Sequence, residues 1–216
     1  MKALIAGASG MIGSVILKDL LSRQDVTEVI SLVRRPLSLE HAKLKEVQHD
    51  EFSHLEAVKE EFKGVDIAFF CIGVYTGAVP DPVFKEITVN QPVAFGEALK
   101  AGSPEASLSF LSGQGADNTE KSNVTFARYK GRAENRLMEM DFKRLHIFRP
   151  AYIYPVEKRE EPNMMYRIMR VLYPLLKVVV PNVTSVQLGR AMVQAAISGA
   201  PKTILENQDI KDLPLT

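Results

Sequence analysis

Two rhythms of apolar residues run along this chain. Lys2–Ala6 is followed by a near-continuous apolar stretch at Val29–Val33, then by a short one near Val47. Val65–Ile72 repeats the pattern; Ala106–Leu111 and Leu145–Ile153, the last interrupted by Pro150, read as further strands, and Lys202–Leu205 offers a final edge segment. Runs of this length without polar alternation predict strands buried on both faces. Between them the period changes to that of a helix. Ile12, Val15, Ile16 and Leu20 share one face, as do Leu55, Val58 and Phe62, and Val93, Ala94 and Leu99. Further helices are predicted over 123–140, 163–177 and 186–198, the last capped by Ser185 and closed by Gly199 and Pro201. Asn90 reads as the N-cap of the helix carrying Val93, with Pro92 in its first turn. Strands alternating with helices predict an α/β fold: a doubly wound, mostly parallel sheet flanked by helices, with a small C-terminal helical extension.

The first unit carries chemistry as well as pattern. Between the first strand and the first helix lies GASGMIG, Gly7 to Gly13. Gly7 lets the chain leave the strand sharply, Gly10 admits a pyrophosphate to the backbone, and Gly13 lets the helix approach the sheet. The helix then offers free N–H groups and the positive end of its dipole to the phosphates. A Gly-rich turn alone is weak; strand, turn, helix and second strand together are the context that the dinucleotide motif requires. The second strand ends Ser31-Leu32-Val33-Arg34-Arg35, with no acid to hold a ribose 2′-hydroxyl. Two guanidiniums suit a 2′-phosphate, so NADP is expected over NAD. Asp50, past the third strand, is placed either to accept from the adenine amino group or to serve as a turn or cap residue.

Composition narrows the class. At 216 residues the chain is read as one domain, 1–216, with 155–185 as a substrate-side insertion. A formal net charge of +1 argues against a nucleic-acid partner. The lone Cys71 has no disulfide partner, no basic and apolar leader precedes the first strand, and no apolar run is long enough to span a membrane. A cytoplasmic protein without a transmembrane segment is expected. The Met-rich apolar stretch at 163–177 leaves room for a homodimer, with a membrane-surface helix as the lesser alternative.

Gly73 ends the Val65–Ile72 strand beside the expected ligand crevice, and Cys71 reads as core rather than reactive. In the Gly- and Pro-rich loop that follows, Tyr75 and Thr76 are candidate substrate contacts. Ser112 ends the Ala106–Leu111 strand, facing the crevice or closing a turn into GQGADN.

GASGMIG, Arg34-Arg35, Cys71-Ile72-Gly73, Val89-Asn90, Leu111-Ser112, GQGAD, Lys130 with KGRAE, and FRPAYIYP together resemble the short-chain dehydrogenase/reductase superfamily. The chain is similar to its atypical short members, the Tat-interacting-protein and epimerase-like groups. The resemblance covers nearly the whole chain and implies a cofactor site of Gly7, Ser9, Gly10, Met11, Ile12, Gly13, Arg34, Arg35, Asp50, Cys71, Ile72, Gly73, Lys130 and Pro150. It also implies a Ser, Tyr and Lys catalytic set, of which Ser112 and Lys130 are present. Four residues before Lys130, where the tyrosine belongs, stands Phe126, which has no proton to give. Tyr129 lies about 100° around the helix from Lys130 and does not replace that tyrosine; Tyr75, Tyr152 and Tyr154 are the candidates to enter from other loops, which spacing alone does not decide. The expectation is an NADP(H)-dependent oxidoreductase on a small carbonyl or hydroxyl substrate. The alternatives are a non-catalytic NADPH-binding sensor and a nucleotide-sugar epimerase-like enzyme.

Overall fold

In the computed structural model, which describes residues 1–156 and 181–214, seven strands form one sheet. They are β1 (Lys2–Ala6), β2 (Glu28–Val33), β3 (Leu44–Gln48), β4 (Ile67–Phe70), β5 (Ser107–Leu111), β6 (Arg144–Arg149) and β9 (Ile204–Glu206). All pair in parallel, in the order β3-β2-β1-β4-β5-β6-β9. The order reverses between β1 and β4, which opens a crevice at their carboxyl ends. A separate parallel pair, β7 (Tyr152–Tyr154) with β8 (Asn182–Thr184), stands beside it.

Strand pleating sends neighbouring residues to opposite faces. Ile5, Phe69 and Phe148 pack beneath α1 (Gly13–Ser22) and α5 (Ser185–Ser198). Leu4, Phe70 and Ile147 turn the other way, toward Phe62, Phe95 and Leu137. Both faces of β1, β2 and β4 are buried, which is why these strands read as near-continuous apolar runs. α1 and α5 lie so close that a Cβ on Gly189 would stand 2.6 Å from Val15 Cγ1.

The helices depart from expectation in three places. Asn90 is not an N-cap. Helical backbone already begins at α2 (Asp81–Lys85), continues through a π-helical turn at Glu86–Asn90, and enters α3 (Gln91–Gly102). Asn90 sits at φ −70° and ψ −44°, and its amide donates to Glu86 within the helix. Pro92 has no N–H for the preceding turn, and the widened π turn just before it absorbs that loss. Leu55, Val58 and Phe62 lie on or beside a 3₁₀ helix, Glu56–Phe62, rather than an α-helix. The α5 cap is Thr184, one residue before the expected Ser185, in a reciprocal capping box with Gln187. The segment 163–177 lies outside the described residues, as does nearly all of the charged stretch before it.

α4 (Thr125–Glu139) follows the loop that leaves β5. Asp117 organises this loop by accepting from the backbone N–H groups of Thr119, Lys121 and Ser122. The loop rests on the helix at Gly131, where a Cβ would lie 1.8 Å from the Asp117 carbonyl oxygen. A short helix α6 (Asn207–Asp212), not expected from the pattern, follows β9.

Candidate functional site

A cleft of about 730 Å³ opens at the carboxyl ends of the central strands. Its walls include Gly10, Met11 and Ile12 from the β1–α1 turn, Cys71–Thr76 after β4, and Leu111–Gln114 after β5. Phe126 and Lys130 of α4, Pro150 and Ala151 after β6, and Ile153 of β7 complete it. The size and mixed polarity are those of a small-molecule site.

The glycine turn is shaped by backbone crowding. Gly7 has φ +94°, and a Cβ there would stand 2.9 Å from the Cys71 carbonyl carbon. A Cβ on Gly13 would fall 2.0 Å from the Gly7 carbonyl oxygen. Gly10 closes the turn, its N–H donating to Gly7 O at 2.9 Å, and it is exposed to the cleft. The turn therefore leaves open backbone where a diphosphate would lie, directly before α1. Arg34 and Arg35 follow β2, both exposed, and neither side chain has a hydrogen-bond or ion-pair partner among the described residues. Asp50 is exposed just past β3, and Ser9 is exposed in the turn; these four residues are not among the cleft walls.

At the other end, Lys130 is buried to 8% exposure. Its ammonium donates to Leu111 O at 3.0 Å and lies 4.8 Å from the Phe110 ring centroid. Burial pushes it down to about 8, with the Glu134 carboxylate pulling the other way. Burial likewise pushes the Cys71 thiol up to about 12, so at neutral pH it is a thiol lining the wall and not a nucleophile. Ser112 donates its hydroxyl proton to Glu134 Oε1 at 2.5 Å. Glu134 is fully buried and ion-paired to Arg149, whose Nε also donates to Oε1 at 3.0 Å. Asn118 donates to Glu134 Oε2 at 3.0 Å, and Arg149 reaches on to Glu206 at 3.1 Å.

This buried network escaped the reading of the sequence, although Glu134 and Arg149 stand inside KGRAE and FRPAYIYP. Their pairing is tertiary. Phe126 lines the cleft, whereas Tyr129 turns away, donating to Asp81 at 2.8 Å and packing against Phe84. No cluster of metal-ligating side chains occurs among the described residues.

A family model described as NAD(P)H-binding matches residues 7–135, from the glycine turn to α4. The chain belongs to this family. It is 29% identical over 161 residues to Protein HTATIP2 of Rattus norvegicus, covering 74% of this chain and 65% of that one. It is 28% identical to Protein FMP52, mitochondrial, of Debaryomyces hansenii, covering 70% of this chain and 66% of that one. The chain thus spans just under two thirds of the length of these relatives. Among solved structures, MoeE5 in complex with UDP-glucose and NAD aligns with a TM-score of 0.71 at 18% identity, over 95% of this chain and 75% of that one. The Bordetella bronchiseptica enzyme WbmH in complex with NAD+ gives 0.71 at 17% identity, over 95% and 74%. These likenesses confirm the family's Rossmann-like fold. No helix among the described residues is long and apolar enough to cross a membrane.

Proposed function

We propose that this chain binds NADP(H) across the carboxyl ends of β2, β1 and β4 and acts as an oxidoreductase on a small substrate carrying a carbonyl or hydroxyl group. The observation that carries the reading is the meeting of Gly10 and Lys130, remote in sequence, on one cleft. In this reading the turn from Gly7 through Ser9 to Gly13 holds the diphosphate, and Asp50 meets the adenine. Cys71, Ile72, Gly73 and Pro150 wall the nicotinamide end, Lys130 binds the nicotinamide ribose, and Ser112 borders the substrate. The bound cofactor supplies a hydride at the nicotinamide ring. A reducing cytoplasm suits the lone Cys71.

The choice of NADP over NAD rests on Arg34 and Arg35, exposed and with no partner for either side chain among the described residues, at the end of the strand where an adenosine 2′-phosphate would lie, with no acid in their place. Titration calorimetry with both coenzymes tests it. NADPH is expected to bind at least about 10-fold more tightly than NADH, since charge-assisted hydrogen bonds contribute about 1.5–3 kcal/mol. Arg34→Ala with Arg35→Ala should weaken NADPH by about 10- to 100-fold and leave NADH nearly unchanged. Equal affinities would overturn the NADP assignment; no heat with either coenzyme would overturn the whole reading.

Phe126 favours one second reading, a non-catalytic sensor whose shape or partner depends on NADPH occupancy. Tight NADPH binding without turnover across aldehydes, ketones and quinones would select it.

A further inference from the structure

The tyrosine hydroxyl that the resemblance sets four residues before Lys130 is absent, and the hydroxyls of Ser112 and Tyr129 are bonded elsewhere. Phe126 brings a carbon edge to the cleft wall. Beneath it is Gly113, where an added Cβ would lie 2.7 Å from Phe126 Cζ. The flanking ring carbons would be farther from that point, at 3.4 and 3.7 Å, so it lies off the para edge, in the direction a phenol oxygen would take. The ring tip and a side chain at 113 therefore compete for one space, and the protein places no oxygen in it. Ser112 sends its proton inward to Glu134, and Tyr129 sends its own to Asp81. Beside this carbon edge the cleft has one buried cation, Lys130, and apolar walls from Met11, Ile12, Ile72, Val74 and Ile153, with Tyr75, Thr76 and Gln114 lining the same cleft.

Such a wall discriminates between electrophiles. Hydride addition to an isolated carbonyl leaves an alkoxide, as basic as hydroxide, whose parent acid has a pKa of about 15.7. That product needs a positioned acid, and an acid of this kind contributes about 10²- to 10⁴-fold. Hydride addition to a quinone leaves a phenolate, whose parent acid has a pKa of about 10. A nearby ammonium is enough to stabilise that anion. From the paired absence at 113 and 126, and resting on the oxidoreductase reading above, we infer that the substrate is a flat conjugated dicarbonyl of the quinone class rather than a simple aldehyde or ketone.

The quinone accepts a hydride at one oxygen from C4 of the reduced nicotinamide, so a C–H bond breaks and an O–H bond forms. Its second oxygen becomes a phenolate beside Lys130 and takes a proton from water at the mouth of the cleft. The quinone is reduced by two electrons and NADPH is oxidised to NADP+, with one proton consumed. The apolar walls suit a planar ring.

The test is NADPH oxidation by the full chain with 2-methyl-1,4-naphthoquinone, benzaldehyde and hexanal, each corrected for the rate without protein, with NADPH affinity measured separately by calorimetry. The quinone is expected to exceed both aldehydes in kcat/KM by at least about 10²-fold. Phe126→Tyr is expected to raise benzaldehyde turnover by about 10-fold or more while quinone turnover changes by less than about 3-fold. Comparable rates for aldehyde and quinone would overturn the inference and point to an acid elsewhere on the wall, with Tyr75 the first candidate. NADPH binding with no turnover of any of the three would overturn it while leaving the cofactor assignment intact. Failure to bind NADPH would overturn the functional reading beneath it.

Discussion

The two ends of the cleft are built by different means. At the end proposed for the phosphates the shape is enforced by how closely main-chain atoms approach: Gly7 against Cys71, and Gly13 against Gly7. At the substrate end the shape is enforced by side chains. Ser112, Glu134, Asn118 and Arg149 form a buried polar lattice under the wall, and Lys130 is held against Leu111 O. Backbone geometry tolerates one residue type at its tight points. A side-chain lattice can exchange members, provided buried charges stay paired. The first end is thus fixed for one class of ligand, while the second can change chemistry on an unchanged frame, as Phe126 and Gly113 illustrate.

The largest expected effect is in the lattice. Glu134→Ala would leave Arg149, only 11% exposed at its side chain, with Glu206 and Asn118 but without its buried partner. Removing one member of such a pair costs about 3–5 kcal/mol. Denaturant unfolding should show a loss near the lower figure, because Glu206 remains. Glu134→Gln should lose less, since it keeps the shape and most of the hydrogen bonds. A loss under about 1 kcal/mol for the alanine variant would mean that the lattice does not hold this end together.

Next is the turn. A methyl on Gly13 cannot sit 2.0 Å from a carbonyl oxygen, so the turn or α1 must shift. Gly13→Ala should cost about 1–3 kcal/mol in stability. On the proposed reading it should also abolish measurable coenzyme binding, because the shift moves the N–H groups that would face the phosphates. Retained NADPH affinity would break the contrast between the two ends.

The same contrast explains what was legible in the sequence. The strands and most of the glycine turn could be read because their signals lie in short stretches of sequence, although Gly7 also packs against the distant Cys71. Gly13, crowded by the Gly7 carbonyl, states its constraint locally, and continuous apolar runs such as Val29–Val33 state burial on both faces. The Glu134 carboxylate gave no such local sign: Ser112 lies 22 residues away and Arg149 15, and their meeting depends on β5 and β6 lying side by side. Asn90 misled for the opposite reason. Its local preference for a cap was overridden by a helix that had already started at Asp81. Lys130 was legible through its resemblance, but its depth was not, since KGRAE reads as an exposed charged run.

That depth carries the smallest effect. The Lys130 ammonium, ordinarily near 10.5, is pushed to about 8 by burial, so the folded protein disfavours the charge that the unfolded chain retains. Between about pH 8 and 10.5 the unfolded state binds more protons, and stability therefore rises with pH across that window. Below pH 8 the full penalty applies. Lys130→Met keeps the apolar stem and removes the charge, at the loss of the bond to Leu111 O and of the contact with Phe110. At pH 7 the variant should be more stable by about 2 kcal/mol, and the gain should vanish as the pH rises toward 10.5. Its NADPH affinity should fall at the same time. Urea unfolding at pH 7 and pH 10, paired with calorimetry at pH 7, would check both parts. A variant that is less stable at pH 7, or one that binds NADPH unchanged, would show that Lys130 is held for packing and not for the charge it brings to the cleft.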